Sequence, residues 1–241
     1  MVSIGVQGGV YRQAACLQCP ARPRMLCAGM TNELLPALGS IATDVRLDKG
    51  ETLFYEGDDA KYVYNVKKGY VRLSRLGVDG RRQVMGFLTV GDYMGHTGKS
   101  QYAISAEALT DAEVCRFSRS DLESLLSQYP QLERQFHHMT AGLLDDMLDL
   151  LFTLGRKNAI ERVASFLDNA LDRQIQSDEP ATQIWLPMTR ADIADFLGLT
   201  LETVSRAFSR LRKEGIIDIE HAHTIHILQR ARLIDIASGD G

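Results

Sequence analysis

The sequence has few of the features that mark secreted, membrane or fibrous proteins. Only four cysteines and six prolines occur among its 241 residues, too few for a disulfide-stapled or proline-rich fold. No apolar run approaches the roughly 18 residues that would span a bilayer. The first ten residues have neither a basic stretch nor a continuous apolar segment. We therefore expect no signal peptide, no membrane partner and a cytoplasmic location.

The sequence also lacks an overall excess of basic residues. Its net charge is −4 at pH 7, which argues against a protein that coats nucleic acid without regard to sequence. Two short regions are nevertheless locally basic. Residues 1–30 contain three arginines and no acidic residue, and residues 200–213 contain four basic residues and one acidic residue. A sequence-specific DNA-binding protein with its basic residues on one helix remains compatible with this composition.

Changes in patterning along the chain predict an α+β protein of four parts. Residues 1–30 are rich in Gly, Cys and Pro and predict an irregular, cysteine-rich arm that needs something external to order it. Residues 31–120 alternate short apolar runs with glycines, which is typical of a barrel or a β-roll. We assign them to a β-roll (double-stranded β-helix) sensor domain. Residues 121–157 predict a long dimerisation helix, and residues 158–241 predict a winged helix-turn-helix DNA-binding domain.

The β-roll is predicted from short runs at roughly ten-residue spacing. Between two of these runs, Asp79-Gly80 has the composition of a tight hairpin turn. The predicted strands are Glu51–Tyr55, Tyr62–Lys67, Tyr70–Leu76, Gln83–Leu88, Ala103–Leu109 and Ala112–Phe117.

Apolar residues then recur every three or four positions, which predicts a long helix. Ser120-Asp121 is expected to cap its start, and Pro130 is expected to interrupt or restart it. Two apolar stripes indicate two partners, so that one face covers the β-roll and the other meets a second subunit. A single buried helix within a monomer is the alternative. The predicted dimer interface includes Met139, Leu143, Met147, Leu150 and Leu154, and the second stripe has Ala141, Leu144, Leu148 and Leu151.

Residues 189–215 have the local chemistry of a helix-turn-helix. Thr189 and Asp192 form a capping-box-like start, and Gly198 suits the left-handed residue of the turn. Thr200 is expected to cap a second helix that ends at Gly215. Two later runs, Ile216–Ile219 and Thr224–Leu228, predict a hairpin wing.

The second helix separates an apolar face from a polar face that has the chemistry to read DNA bases. Arginine can donate two parallel hydrogen bonds to guanine, glutamate can accept from cytosine, and serine can bond a base or a phosphate. A merely solvated charged face is the alternative, but the preceding helix, the glycine turn and the wing favour DNA. The predicted base-reading residues are Glu202, Ser205 and Arg206, and the predicted phosphate contacts are Ser209, Arg210, Arg212 and Lys213.

The four cysteines predict a metal site. Cys16, Cys19 and Cys27 are clustered, and Cys115 follows much later. Four thiolates suit either a tetrahedral zinc ion or an iron–sulfur cluster, and their spacing cannot choose between the two. Unligated thiols and a thiol-redox enzyme are the other interpretations. An enzyme is not expected, since no Cys-x-x-Cys begins the helix of a βαβ unit.

The order of β-roll, long helix and winged helix-turn-helix resembles the CRP/FNR family of dimeric bacterial transcription regulators over nearly the whole chain. The segment Leu201–Arg206 matches the Glu-x-x-Ser-Arg motif of the FNR branch. This resemblance implies a homodimer that contacts RNA polymerase and reads a palindrome of TTGAT-like half-sites with Glu202, Ser205 and Arg206.

The resemblance also implies a cofactor and a signal. FNR-type proteins hold an oxygen-labile [4Fe–4S] cluster with three N-terminal cysteines and one at the end of the β-roll, where Cys115 falls. Alignment on Arg156–Ala159 places Asp149 at the dimer interface as an inhibitory acid. Cyclic nucleotide is not expected as a ligand, because Gly91–Ser100 lacks the Glu and the Arg-Ser or Arg-Thr pair that would hold its phosphate. His96 is a conceivable haem ligand, but a lone histidine in a loop is more typical of polar surface.

Overall fold

The computed structural model describes residues 16–28, 30–175, 182–221 and 223–239. The chain divides into two compact units, Met1–Leu144 and Asp145–Gly241, and the division falls within one long helix. The predicted bounds of the four parts, at residues 30, 120 and 157, remain predictions. Within the described ranges, no helix has both the length and the apolar character needed to cross a membrane.

Antiparallel strands build the first unit. They are β1 (Ala42–Leu47), β2 (Thr52–Phe54), β3 (Tyr62–Lys68), β4 (Val71–Leu76), β5 (Arg82–Leu88), β6 (Tyr93–Met94), β7 (Ser105–Ala108) and β8 (Ala112–Ser118). One four-stranded sheet has the order β1-β8-β3-β6, and the other has the order β2-β7-β4-β5. This arrangement confirms the predicted β-roll. The sequence runs named above did not include β1, whose apolar residues alternate with charged ones, or β6, which has only two residues.

The interior of the β-roll is filled by the apolar residues that alternate along its strands. Val66, Val71 and Val114 are fully buried. Phe54 stacks on Tyr102 with the ring centroids 3.9 Å apart. The predicted hairpin is confirmed, because Gly80 has a φ of +77° and the Gly77 amide donates to the Arg81 carbonyl at 2.8 Å.

A second core of the first unit lies under its helices. These are a 3₁₀ turn (Arg22–Arg24), α1 (Leu35–Ile41), α2 (Arg119–Gln128) and the first part of α3 (Pro130–Arg156). Leu26 and Met30 of the arm are buried there with Leu132 of α3, and Phe136 and Met139 pack against them. The described residues of the arm thus contribute apolar side chains to this core. That the arm needs something external to order it remains a prediction. Residues 1–15 lie outside the described ranges.

The start of α2 also differs from the prediction. Ser120-Asp121 does not cap it: the N-cap is Ser118, whose side chain makes no capping hydrogen bond. The physical reason is that β8 continues directly into the helix, with Ser118 still paired to Tyr62 and the Arg119 amide donating to the Lys61 carbonyl at 2.9 Å. Pro130 restarts the helical path as the first residue of α3, as predicted.

The second unit is a winged helix-turn-helix, which confirms the predicted fold class. Its elements are the end of α3, α4 (Ala159–Ile175), β9 (Gln183–Trp185), α5 (Arg190–Leu197), α6 (Leu201–Lys213), β10 (Ile217–His221), β11 (Thr224–Ile227) and α7 (Arg230–Ser238). The wing strands have the order β10-β11-β9. The sequence did not predict α7. This helix packs on α4, with Leu233 fully buried.

Candidate nucleic-acid interface and cysteine site

The first helix of the helix-turn-helix begins at a complete capping box. The Thr189 hydroxyl accepts from the Asp192 amide at 3.1 Å, and the Asp192 carboxylate accepts from the Thr189 amide at 3.0 Å. These two bonds satisfy amide groups that the helix itself leaves unpaired. The buried Ile193 and Leu197 then fix α5 on the core of the unit.

The turn between α5 and α6 follows the predicted chemistry. Gly198 ends α5 with a φ of +62°, in the left-handed region that an L side chain rarely adopts. Thr200 begins α6 by accepting from the Thr203 amide at 3.2 Å. The two caps fix the direction in which α6 leaves the turn, so they determine which of its faces points away from the protein core.

The outward face of α6 carries the predicted base-reading residues. Val204, Phe208 and Leu211 are buried, whereas Glu202, Ser205, Arg206 and Ser209 are all exposed. Arg190 of α5 covers the other side of the core, with its guanidinium 3.1 Å from the centroid of the Phe208 ring. Burial there lowers the pKa of Arg190 to about 10. The apolar face therefore holds α6 in place and leaves its polar face accessible.

The carboxylate on this face stays charged at and below neutral pH. A hydrogen bond from its own backbone amide, another from the Thr200 hydroxyl and the nearby Arg206 charge all lower the pKa of Glu202. An ionised carboxylate only accepts hydrogen bonds, so this position can accept from the amino group of cytosine.

The predicted phosphate-contacting residues lie at the C-terminal end of α6 and are partly engaged within the protein. Arg210 bonds Glu214 at 2.7 Å, and Arg212 bonds Asp218 of the wing at 3.1 Å. The Ser209 hydroxyl donates to the Ser205 carbonyl at 2.9 Å, and Lys213 is exposed. Both arginine pairs lie at the surface, where such pairs contribute little to stability.

Sequence reasoning missed Arg162 of α4, which joins three segments of the second unit. Its guanidinium donates to the Leu154 carbonyl at 2.7 Å and to the Lys157 and Leu197 carbonyls at 2.9 Å. These oxygens lie at the end of α3, in the connection to α4 and at the end of α5. No local pattern identifies this role, because Leu197 follows Arg162 by 35 residues.

The structure brings the arm cysteines to Cys115. Cys115 lies on the central strand β8, where its neighbours in register are Asp44 on β1 and Asn65 on β3. Cys16, Cys27 and Cys115 line one small and almost wholly apolar cavity. Cys19 does not line the cavity but lies near enough for its charge to act on both Cys27 and Cys115.

Burial keeps the Cys27 and Cys115 thiols protonated. It raises the pKa of Cys27 to about 11, with the neighbouring Cys19 and Cys16 adding to the effect. Burial also raises the pKa of Cys115 well above its ordinary value, against the opposing charge of Lys67. Metal binding at these thiols must therefore release protons.

The four cysteines are a donor set that suits either a tetrahedral zinc ion or an iron–sulfur cluster. In the part of the chain that the structure describes, no three His, Cys, Asp or Glu side chains converge closely enough to hold one ion. The choice between the two metals remains a prediction.

Charged groups lie close to Cys115 in the sheet. Lys67 bonds Asp44 at 3.0 Å and Glu113 at 2.8 Å, and the Cys115 thiol points at the Asp44 carboxylate with Sγ and Oδ1 3.6 Å apart. On the arm, Arg22 donates to the Met30 carbonyl at 2.6 Å and so closes the loop that contains Cys27.

The remaining ligand expectations concern the β-roll. On neighbouring strands β4 and β7, Arg72 and Glu107 form an ion pair at 2.6 Å. His96 is exposed, as expected of a loop histidine, and its ring centroid lies 6.3 Å from that of Tyr93 and 5.4 Å from that of Phe136. The expected absence of a cyclic-nucleotide ligand remains a prediction.

The apolar residues of the long helix α3 fall into a set that packs on the first unit and a set that is exposed. Met139 and Leu143 pack against the second core of the first unit. Leu150 and Leu154 are half-buried, and Asp149 is exposed. We call the exposed set Met147, Leu148, Leu151 and Phe152 the apolar stripe of α3; each is at least 54% exposed.

Two domain families match the chain. Residues 44–129 match the cyclic nucleotide-binding domain, and residues 161–236 match the Crp-like helix-turn-helix domain. The first match covers most of the β-roll, and the second covers the winged helix-turn-helix.

Relatives of known name extend the similarity over most of the chain. The nitrogen fixation regulation protein FixK of Bradyrhizobium diazoefficiens is 35% identical over 92% of this chain and 94% of its own length. The transcriptional activator protein FnrL of Cereibacter sphaeroides is 36% identical over 93% of this chain and 92% of its own. The solved structure of FixK2 from Bradyrhizobium japonicum is 41% identical, with a TM-score of 0.75, over 81% of this chain and 97% of that one. The chain therefore belongs to the CRP/FNR family of transcription regulators.

Proposed function

We propose that this protein is an oxygen-responsive transcription regulator of the cytoplasm. As a homodimer it reads a palindrome of TTGAT-like half-sites and contacts RNA polymerase, while Cys16, Cys19, Cys27 and Cys115 hold an intact [4Fe–4S] cluster. The observation that carries the proposal is the meeting of Cys16 and Cys27 of the arm with Cys115 of β8 around one apolar cavity. The relatives that bear names of transcriptional activators support the DNA half.

The recognition helix supplies sequence specificity. With α6 in the major groove, Arg206 donates two hydrogen bonds to a guanine and Glu202 accepts from a cytosine. Ser205 lies on the same exposed face and reaches a base or a phosphate. Arg210, Arg212 and Lys213 contact phosphates and fix the register of the helix without reading sequence.

The cysteines supply the response to oxygen. When bound, the cluster provides an oxygen-labile link between the arm and the β-roll. Cys115 is held by the strands on both sides of β8, so its position is set by the sheet. The three arm cysteines lie on an irregular segment, and Cys27 and Cys115 must give up their protons when they become ligands.

The arm and the long helix share one core, which gives a physical route between them. Leu26 and Met30 of the arm are buried with Leu132 of α3, and Phe136, Met139 and Leu143 of α3 pack against the same cluster. A shift of the arm therefore changes the packing beneath the first part of α3, because cores at native density do not absorb such shifts freely.

Pairing of two copies covers the apolar stripe of α3. Its four large side chains are exposed in one chain, which is unusual for a helix in a single folded protein. Asp145 precedes Leu148 by three residues and Asp149 precedes Phe152 by three, but Asp145 lies roughly 90° and Asp149 roughly 130° around the helix from the middle of the stripe. The assignment of Asp149 as the inhibitory acid remains a prediction.

The charge repulsion can be tested by two substitutions. Asp149→Ala and Asp145→Ala should each strengthen dimerisation of the air-exposed protein, measured by sedimentation velocity. Helix geometry favours the larger effect for Asp145→Ala, of about two- to fivefold in the dimer dissociation constant. If neither variant dimerises more strongly than the unmodified chain, charge repulsion along α3 does not oppose pairing.

The central test is purification without oxygen, followed by a visible spectrum and by iron and sulfide analysis before and after exposure to air. We expect a coloured protein with about four irons and four sulfides per chain, which loses both its colour and its tight DNA binding in air. Cys115→Ser should abolish iron binding, whereas Glu202→Gln should keep the iron and lose only DNA specificity. A colourless, zinc-containing protein that is stable in air would overturn the oxygen-sensor proposal and leave the DNA proposal standing.

A further inference from the structure

Asn65 is a fully buried polar residue beside the cysteine site. It lies on β3, where its neighbours in register are Cys115 on β8 and Tyr93 on β6. It also lines the cavity that Cys16 and Cys27 share with Cys115. Burial of an amide side chain is costly unless its hydrogen bonds are made, so the partners of Asn65 show what it does.

The Asn65 amide joins the arm to the β-roll. Its Oδ1 accepts from the Leu26 backbone amide at 3.3 Å, and its Nδ2 donates to the Gly91 and Asp92 carbonyls at 3.3 Å each. The partners fix this orientation, because a backbone N–H can only donate and a carbonyl can only accept. Aspartate at this position would turn a second acceptor oxygen towards two carbonyls. An aliphatic residue would remove all three hydrogen bonds, and the Asp92 carbonyl would keep its bond from the Val66 amide at 2.9 Å.

Gly91 forms the other side of the same contact. Its φ is +99°, and an added Cβ would lie 2.6 Å from Cβ and 2.7 Å from the carbonyl oxygen of Arg24. Contacts this short do not occur, so only glycine allows the arm backbone to lie so close. The two residues thus hold the Arg24–Leu26 segment from opposite ends, immediately before Cys27.

We propose that Asn65 and Gly91 form a seat for the arm, and that Asn65 is the positioning residue that presents Cys27 to Cys115. Met25 and Leu26, which are at most 2% exposed, supply the apolar part of this docking. The role in cluster assembly rests on the proposed function, but the docking itself rests on protein contacts alone. The seat places Cys27 near Cys115 by contacts within the protein, in addition to any link that a bound group provides.

Hydrogen exchange of the full-length, chelator-treated protein tests the docking. In Asn65→Asp and in Gly91→Ala, amides of the segment 25–28 should exchange about tenfold faster or more. In the first variant the carboxylate is repelled by the Gly91 and Asp92 carbonyls and shifts away from the Leu26 amide, and in the second the added methyl group clashes with Arg24. Amides of β3 and β8 should keep their protection. The matched control is Gly57→Ala, since Gly57 has a similar φ of +92° but open space around its Cβ. Gly57→Ala therefore introduces similar backbone strain but no clash with Arg24.

A second measurement links the seat to the metal site. After anaerobic reconstitution with iron and sulfide, both seat variants should lose their visible absorbance in air several-fold faster than the Gly57→Ala control. Unchanged exchange of segment 25–28 in both variants would overturn the seat. Faster exchange in a chain that never binds iron would leave the seat standing and overturn the oxygen-sensor proposal instead. If Asn65→Asp also loses protection in β3 and β8, the variant has unfolded and Gly91→Ala alone decides.

Discussion

Arg206 and Lys213 illustrate two different contributions of single residues on α6. Arg206 lies on the exposed face of α6 that we propose reads bases, and Lys213 lies in the last helical turn. We expect Arg206→Ala to reduce the ratio of specific to non-specific DNA affinity by roughly 5- to 150-fold, since a bidentate base contact contributes about 1–3 kcal/mol. Lys213→Ala should weaken binding to all sequences alike and lower the slope of log affinity against log salt by about one.

Fluorescence anisotropy with a palindromic and a scrambled duplex, each titrated at several salt concentrations, separates these effects. The two variants serve as controls for each other, because each removes one positive charge from the same helix. A uniform loss of affinity in Arg206→Ala, with its specificity ratio unchanged, would contradict the base-reading role.

Cys27 should show the effect of its raised pKa directly. The thiolate is the reactive form, so alkylation of Cys27 in the chelator-treated chain should be slow at pH 8 and rise about tenfold per pH unit towards pH 11. Burial of the neutral thiol stabilises the fold at neutral pH, and this contribution is lost as the pH rises through its pKa of about 11. Pulse alkylation followed by mass spectrometry gives the rate. A rate that levels off below pH 9 would show that the thiol is not shielded.

Residues whose roles depend on near neighbours could be predicted from the sequence, and those with distant partners could not. Thr189, Asp192, Gly198 and Thr200 act within a few positions of each other, and capping chemistry is the same in any protein. Asn65, by contrast, bonds Leu26, 39 residues earlier in the chain. Only the folded sheet shows that this asparagine is a point of attachment.

At the scale of elements, the apolar stripe of α3 carries the next prediction. Leu151→Asp places a charge in the centre of the stripe and should raise the dimer dissociation constant by roughly 30-fold or more. Because Leu151 is 68% exposed in one chain, the fold should be unaffected. Leu76→Asp is the matched control, since Leu76 on β4 is 65% exposed. Equal dimerisation of the two variants would show that pairing uses another surface.

Elements with several turns or a clear alternation were predicted correctly, and short or mixed elements were not. The helices of the helix-turn-helix and the strands of the roll stand out because an entire face is buried. By contrast, α7 has only Leu233 and Ala237 buried among nine residues, and this leaves little periodicity. The assignment of a cap at Ser120-Asp121 was wrong because capping chemistry does not show that a strand runs straight into a helix.

At the scale of the whole molecule, pairing fixes the distance between the two recognition helices. A palindrome whose half-sites are one helical turn apart presents both to the same side of the duplex. Inserting about five base pairs between the half-sites turns them to opposite sides, so affinity should fall to the non-specific level, 10³-fold or more. A ten-base-pair insertion is the control for length and should return both half-sites to the same side of the duplex. Anisotropy with the three duplexes measures the effect, and equal affinity for all three would show that the protein does not bind as a symmetric pair.

The hydrogen bonds of Arg162 affect how pairing of α3 acts on the DNA-binding helix α6. Its guanidinium bonds the last turn of α3, the connection after it and the last carbonyl of α5. These hydrogen bonds restrict bending of the short connection between α3 and α4. The end of α3 and the helix-turn-helix are then expected to move together. We therefore expect a rotation of α3 that accompanies pairing to be carried to α6 with little bending between them.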